Sequence, residues 1–137
     1  MLFNIWVTTA CNLKCKYCYE GAHKNGIQMS KETAIQVLDY ICSKIEGVSG
    51  YIVVNYHGGE PLLNYEIIYL ITEALKSRFP NKKILFGITT NAILMDEEKI
   101  EYLSKNFLYN LSISIDGGRI VHDYNRVTIQ NKGTYNA

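Results

Sequence analysis

The sequence has almost no net charge: 14 lysines and arginines against 13 acidic residues leave a formal +1. That balance excludes a nucleic acid or an anionic membrane held by bulk electrostatics. No apolar run approaches the ~20 residues needed to cross a bilayer. The first residues, Met1-Leu2-Phe3-Asn4-Ile5-Trp6-Val7, lack a basic start and a small-residue cleavage site, so no secretory leader is expected. Internal repeats, low-complexity stretches and linkers are also lacking. The expectation is one cytoplasmic domain with neither nucleic acid nor membrane as partner. Its 137 residues are enough to bury a core without disulfides.

Cysteine is scarce and unevenly placed. Cys11, Cys15 and Cys18 fall together, while Cys42 stands alone. In a cytoplasmic chain such cysteines are metal ligands or buried thiols rather than disulfides. Cys42 lies on the apolar stripe of a predicted helix and reads as a buried thiol.

The rest of the chain alternates. Residues 3–8 read as a short strand with Phe3, Ile5 and Val7 on one face. Ser30 caps a helix over 31–46, with Ala34, Val37, Leu38, Ile41 and Ile45 at helical spacing. Residues 51–56 form a β-branched and aromatic second strand that stops at His57. Asn64 caps a second helix, striped by Ile67, Ile68, Ile71, Ala74 and Leu75 and ended by Pro80. Residues 83–89 are a third strand. Asp96 caps a third helix with Ile100 and Leu103 inward. Residues 108–115 are a fourth strand, and after Arg119 no element is expected.

A βαβαβαβ order implies parallel strands joined by right-handed crossovers. Each strand ends in an unusual cluster: the three cysteines, then Gly58-Gly59-Glu60-Pro61, then Thr89-Thr90-Asn91, then Ser112, Ser114 and Asp116. In parallel α/β folds the C-terminal strand ends share one face, where active sites lie. Four clusters distant in sequence should therefore converge on one rim.

The cysteine spacing is C-x3-C-x2-C. Thiolates suit zinc or iron–sulfur clusters. Structural zinc wants four protein ligands, which His23 would have to complete. Three cysteines suit a four-iron cluster with one iron left open to an outside ligand.

These residues resemble the radical S-adenosylmethionine (SAM) superfamily. The cysteine loop, with Tyr17 as the aromatic before the last cysteine, matches that family's signature. Gly58-Gly59-Glu60-Pro61 matches its glycine–glycine–glutamate–proline motif. Thr90-Asn91, Ser114-Ile115-Asp116-Gly117 and His122-Asp123-Tyr124-Asn125-Arg126 are similar to motifs of the subgroup that modifies peptides and proteins, anaerobic sulfatase maturases among them. The resemblance runs from about residue 5 to about 133.

The resemblance implies a parallel-stranded partial TIM-like barrel, of which the chain would supply about four βα units as the N-terminal part of the core domain. Strands five and six and any auxiliary-cluster extension would be absent, leaving a strand edge unpaired. It implies a [4Fe-4S] cluster on Cys11, Cys15 and Cys18, and SAM on the open iron. Glu60 and the backbone after Tyr56 would accept from the SAM ammonium. Gly58 and Gly59 would permit close backbone approach, and Pro61 would fix the turn. Asn91 joins the cofactor-binding residues. Ser114 would bond the ribose or the carboxylate, and Arg126 would pair with the carboxylate. Tyr17 would pack on the adenine, and Asp116 is the candidate catalytic residue. The implied chemistry is reductive cleavage of SAM to a 5′-deoxyadenosyl radical that takes hydrogen from a peptide or protein, with reduced flavodoxin or ferredoxin as electron donor.

Structural readings stand beside several of these roles. His57 is a residue near the substrate or a hydrogen-bonded structural histidine. Thr89, Thr90 and Asn91 can satisfy strand-end backbone groups. Asp116 is also a turn residue before Gly117, and Arg126 a surface salt-bridge partner. Ala92 stands where the family often has glycine, which puts the backbone there in question. For the whole chain, a non-catalytic cluster-binding remnant and a structural zinc module are the competing readings.

Overall fold

The computed structural model describes residues 1–20 and 26–137. His23, the fourth ligand of the zinc reading, lies outside the described residues. The elements run β1 (Leu2–Thr8), α1 (Lys31–Ile45), β2 (Tyr51–Gly58), a 3-10 turn (Pro61–Asn64), α2 (Tyr65–Arg78), β3 (Lys83–Thr90), α3 (Glu97–Asn106), β4 (Asn110–Ile113) and α4 (Arg119–Asn125). The four strands form one parallel sheet in the order β1-β2-β3-β4.

One face of the sheet carries the core. Ile5, Val7, Ile52, Val54, Tyr56, Phe86 and Ile88 project there, against buried Leu38 and Ile41 of α1, Ile68 and Ile71 of α2, and Leu103 of α3. Burying each such aliphatic chain stabilises the fold by roughly 1.5–3 kcal/mol. Burial pushes the Tyr56 phenol above its ordinary pKa. Its hydroxyl shares a 2.9 Å hydrogen bond with Thr72, so the polar tip is satisfied inside the core.

The other face is open and mixed, with Leu2, Val53 and Leu85 in one register row. Asn4, Asn55, Gly87 and Asn110 lie in one register row. Asn55 Oδ1 sits over Gly87, where a Cβ would come within 2.2 Å of it. In the next row Trp6 stacks on His57, with ring centroids 5.2 Å apart. One packed face and one open face give β2 its alternating burial.

The helix caps follow the sequence at two of three sites. Ser30 accepts from Thr33 N at 3.2 Å, and Asp96 accepts from Lys99 N at 2.8 Å. Ser30→Ala is expected to cost about 1 kcal/mol in urea denaturation, with Ser30→Asp retaining stability. An unchanged midpoint in Ser30→Ala would show that this bond does not hold the helix start. Asn64 precedes α2 but makes no side-chain cap bond. Its Nδ2 donates instead to Val7 O and Met29 O, at 2.8 and 3.0 Å, tying β1 to the segment before α1.

Other boundaries differ for physical reasons. β2 runs on to Gly58, past its expected end, because the β1–β2 ladder continues through Thr8 and Gly58, and β3 runs on to Thr90 because that residue pairs with Ile113 of β4. β4 is shorter than the expected 108–115, since Leu108 and Ile115 are 78% and 64% exposed with no layer over them. Among the described residues β4 pairs with β3 alone, and Leu111 and Ile113 are also exposed. Ile100, expected inward, is 53% exposed, and Leu103 alone is buried on α3. Cys42 is partly buried against the core, and Arg78 Nη1 lies 3.5 Å from its sulfur. No helix among the described residues is long and apolar enough to cross a membrane.

Candidate active site

The C-terminal ends of the strands line one cleft. Its walls include Cys11, Cys15, Tyr17 and Cys18 after β1, His57, Gly58, Gly59 and Glu60 at the end of β2, Thr89, Thr90 and Asn91 at the end of β3, Ser114 after β4, and Arg126 after α4. The cavity measures ≈ 190 Å³. The convergence expected from βα alternation is therefore present. Pro61 and Asp116 are the two candidate residues outside the lining.

The cysteine loop is held from three directions. On the β2 side, Gly59 N donates to Thr8 O at 3.2 Å and Glu60 N to Ala10 O at 2.8 Å. This approach is possible only without side chains: a Cβ on Gly58 would lie 2.4 Å from Thr8 O, and one on Gly59 2.4 Å from Ala10 O. From β3, Asn91 Nδ2 donates to Asn12 Oδ1 at 2.8 Å. From the other side come the end of α4 and the segment after it. Lys14 N and Lys16 N donate to Val127 O and Asn125 O, both at 2.9 Å. Leu13 and Thr128 form an antiparallel bridge, and the Lys16 ammonium lies 3.0 Å from the Tyr124 ring centroid.

Glu60 is the buried strut of the rim, 1% exposed. Its Oε1 accepts from Leu62 N at 3.0 Å and from Thr90 Oγ1 at 2.7 Å. Its Oε2 accepts from Asn91 N at 2.8 Å. One carboxylate thus caps the 3-10 turn, whose first residue is Pro61, and locks the end of β2 to the end of β3. Asn91 Oδ1 accepts from Ile93 N at 3.1 Å, and Thr90 Oγ1 accepts from Ala92 N at 3.0 Å, so both also close the turn. Ala92 sits at φ 64°, the left-handed region glycine favours, so the turn keeps a glycine-type backbone without the glycine. Ser114 N donates to Thr90 O at 3.0 Å, fixing Ser114 at the rim.

Tyr17, Asp116 and Arg126 form a cluster. Tyr17 Oη donates to Asp116 Oδ1 at 2.7 Å, and Arg126 Nη1 donates to Tyr17 Oη at 2.5 Å. Arg126 is 7% exposed, which sets aside the surface salt bridge. Burial and the Asp116 hydrogen bond raise the Tyr17 pKa, against the opposing pull of Arg126, so the phenol keeps its proton. Burial disfavours the Arg126 charge. The hydrogen bond to Tyr17 and the fields of Cys15, Tyr17 and Asp116 outweigh it and raise its pKa above the ordinary value. Arg126 Nε and Asp116 Oδ2 are buried without a hydrogen-bond partner among the described residues.

Sequence reading missed the supports. Residues 122–126 stand out in the sequence as a motif, but not as part of a helix, α4, that with the turn after it, joined by the Val127–Gly133 bridge, holds one side of the cysteine loop. Asn12 and Ala10 also carry contacts that no motif marks.

Known proteins resemble this chain in sequence and fold. A sequence model described as "Radical SAM superfamily" matches residues 5–136. An uncharacterized protein of Methanocaldococcus jannaschii is 37% identical over 111 residues, covering 81% of this chain and 37% of that protein. The cysteine-type anaerobic sulfatase-maturating enzyme of Clostridium perfringens is 28% identical over 124 residues, covering 87% of this chain and 33% of that enzyme. Among solved structures, native anSMEcpe with bound AdoMet superposes with a TM-score of 0.81 at 26% identity, over 98% of this chain and 38% of that one. Another structure of anSMEcpe, which adds a Cp18Cys peptide, gives 0.80 at 26% identity, over 98% and 36%. The chain thus spans between 33% and 38% of each of these proteins. Its parallel sheet with helices on one face corresponds to part of their TIM-like barrel. With a family match over nearly all its residues, the chain belongs to the radical SAM superfamily.

Proposed function

We propose that residues 1–137 are the N-terminal part of a radical SAM core domain that binds a [4Fe-4S] cluster and SAM in the strand-end cleft. The loaded, reduced site would cleave SAM reductively to a 5′-deoxyadenosyl radical that takes a hydrogen atom from a peptide or protein. The observation that carries this reading is the cleft itself, where three thiols meet Gly58 and Gly59 at the end of β2, Ser114 after β4 and Arg126 after α4.

The donor set fits both groups. Three soft thiolates can hold three irons and leave the fourth open. A cluster spreads its thiolates over separate irons, so it does not require them to converge on one point. Among the described residues, no three His, Cys, Asp or Glu side chains are placed to hold a single metal ion. The zinc module would need sulfurs ~2.3 Å from one such point. Arg126 lines the cleft with a buried Nε–H lacking an acceptor among the described residues, which suits an anionic carboxylate.

The residue roles follow from chemistry and place. Cys11, Cys15 and Cys18 hold the cluster. Arg126 pairs with the SAM carboxylate and Ser114 with the carboxylate or ribose. Asn91 fixes the β3 rim against the cysteine loop, and the Tyr17 ring, 55% exposed, is available to the adenine. Gly58 and Gly59 let backbone approach the amino acid end of SAM. Three of roughly four lone-pair sites on Glu60 already hold internal donors. The SAM ammonium therefore falls mainly to backbone carbonyls after Tyr56. The sulfatase-maturating relatives support a peptide or protein substrate, and reduced flavodoxin or ferredoxin is the proposed electron donor.

Anaerobic reconstitution of the chain is expected to give about four irons and four sulfides per chain. Addition of dithionite and SAM is then expected to release 5′-deoxyadenosine. Zinc without sulfide would overturn the cluster. A cluster without 5′-deoxyadenosine would reduce the chain to a non-catalytic remnant.

A further inference from the structure

Asp116 and Arg126 grip the same hydroxyl from different elements, and a buried hydrogen-bond chain joins their backbones. Thr134 Oγ1 donates to Arg126 O at 2.7 Å. A hydroxyl has one proton, and a carbonyl can only accept. The 3.1 Å contact between His122 Nε2 and Thr134 Oγ1 must then have the imidazole as donor. That assigns the Nε2–H tautomer, leaving Nδ1 as an acceptor. Asp116 N lies 3.4 Å from Nδ1, a long bond of the required direction. The chain runs Asp116 N–H to His122, His122 to Thr134, and Thr134 to Arg126 O.

Its members are shielded: His122 and Thr134 are each 6% exposed. Tyr135 packs edge-on against His122 at 5.7 Å, and Tyr135 N donates to Asp123 at 2.9 Å. Arg126 N also donates to His122 O at 2.7 Å. The spacing between the Asp116 and Arg126 backbones is thereby set from two directions. Their side chains meet Tyr17, which lies between the second and third cysteines of the loop.

The geometry points to a positioning relay. His122 and Thr134 hold Asp116 and Arg126 as a clamp on Tyr17, and the clamp fixes the Cys15–Cys18 segment before any cluster is present. In this assignment Asp116 acts through Tyr17 rather than on substrate. The purpose of the clamp rests on the cluster reading of the cleft, but its geometry does not.

The test uses the whole chain without and with reconstituted iron. Thr134→Val removes the hydroxyl at nearly constant volume, and Thr134→Ser restores it. In the apoprotein, alkylation of Cys15 and Cys18 by iodoacetamide, followed by peptide mass analysis, is expected to speed up about tenfold in Thr134→Val, as a buried hydrogen-bond link is lost. Alkylation of Cys42, away from the clamp, stays unchanged and serves as the internal reference. Thr134→Ser returns to the parent rate. In the reconstituted protein, iron loss to a chelator quickens by a similar factor. Unchanged rates in Thr134→Val, or failure of Thr134→Ser to rescue them, overturn the relay. If Thr134→Val loses its fold, Tyr17→Phe takes its place: it must release the same two thiols, and an unchanged rate there overturns the clamp. Parent protein that takes up no iron and sulfide would instead sink the cluster reading, while the alkylation rates still decide the relay.

Discussion

Glu60→Gln, which changes one oxygen to nitrogen, is expected to lower the unfolding free energy by about 2–4 kcal/mol, since bonds to charged groups contribute ≈ 1.5–3 each. At roughly 4 °C per kcal/mol for a chain of this size, Tm should fall by about 8–16 °C. Three hydrogens point at two carboxylate oxygens, from Leu62 N, Thr90 Oγ1 and Asn91 N. Glutamine can present only one acceptor oxygen, so either Asn91 N–H or the Leu62–Thr90 pair meets an NH2 group. A donor facing a donor at a site 1% exposed has no water to turn to. The loss should spread, because Thr90 also holds Ala92 N and Asn91 also holds Asn12. Urea denaturation of parent and variant decides the matter. A difference within about 0.5 kcal/mol, the ordinary range of surface changes, would sink the account of Glu60 as a strut.

The sheet and its rim were legible because their signals are local. β-branched runs, capped amphipathic helices and a cluster after each strand each occupy a few adjacent residues, and alternation does the rest. Ser30 and Asp96 were readable for the same reason, since a cap bonds three residues ahead. The misses involve partners far along the chain. Asn64 looks like a cap, yet its amide serves Val7 and Met29. Glu60 is marked by its motif, but its bonds to Leu62, Thr90 and Asn91 are not, since two of those three donors sit on the next strand's end. α4 escaped notice because its one buried residue is His122, while Ile120 is 88% exposed, so no apolar period exists to read. Spacing alone points Ile100 inward, but α3 buries only Leu103.

The polar supports have a common consequence. The cysteine loop has few apolar contacts of its own beyond Leu13, which is 2% exposed. Its shape depends on backbone bonds to β2, on Asn91, and on the segment after α4. Such bonds are directional and short-ranged, so small displacements at the rim should reach the thiols.

The second large effect follows from that dependence. Gly59→Ala is expected to destabilise the chain by about 2 kcal/mol, in the range of overpacked sites. It is also expected to cut iron uptake on reconstitution at least about tenfold, because each 1.4 kcal/mol of distortion at the loop is a factor of ten in binding. The added methyl would stand 2.4 Å from Ala10 O, 2.8 Å from Ala10 C and 2.8 Å from Thr9 O. All three are backbone atoms, so no side chain can swing aside. Either β2 or the strand leading into Cys11 must move, and the Glu60 N to Ala10 O bond at 2.8 Å lies directly in the path. Gly47→Ala is the control. A Cβ there meets nothing within 4 Å, and its φ is not in the left-handed region. The same chemical change should then be neutral or stabilise by about 0.4–1 kcal/mol, since alanine restricts the unfolded chain. Opposite signs at the two glycines would separate close approach from glycine content. If Gly59→Ala matched Gly47→Ala in both denaturation midpoint and iron per chain, the backbone contact between β2 and the cysteine loop would not be what shapes the site.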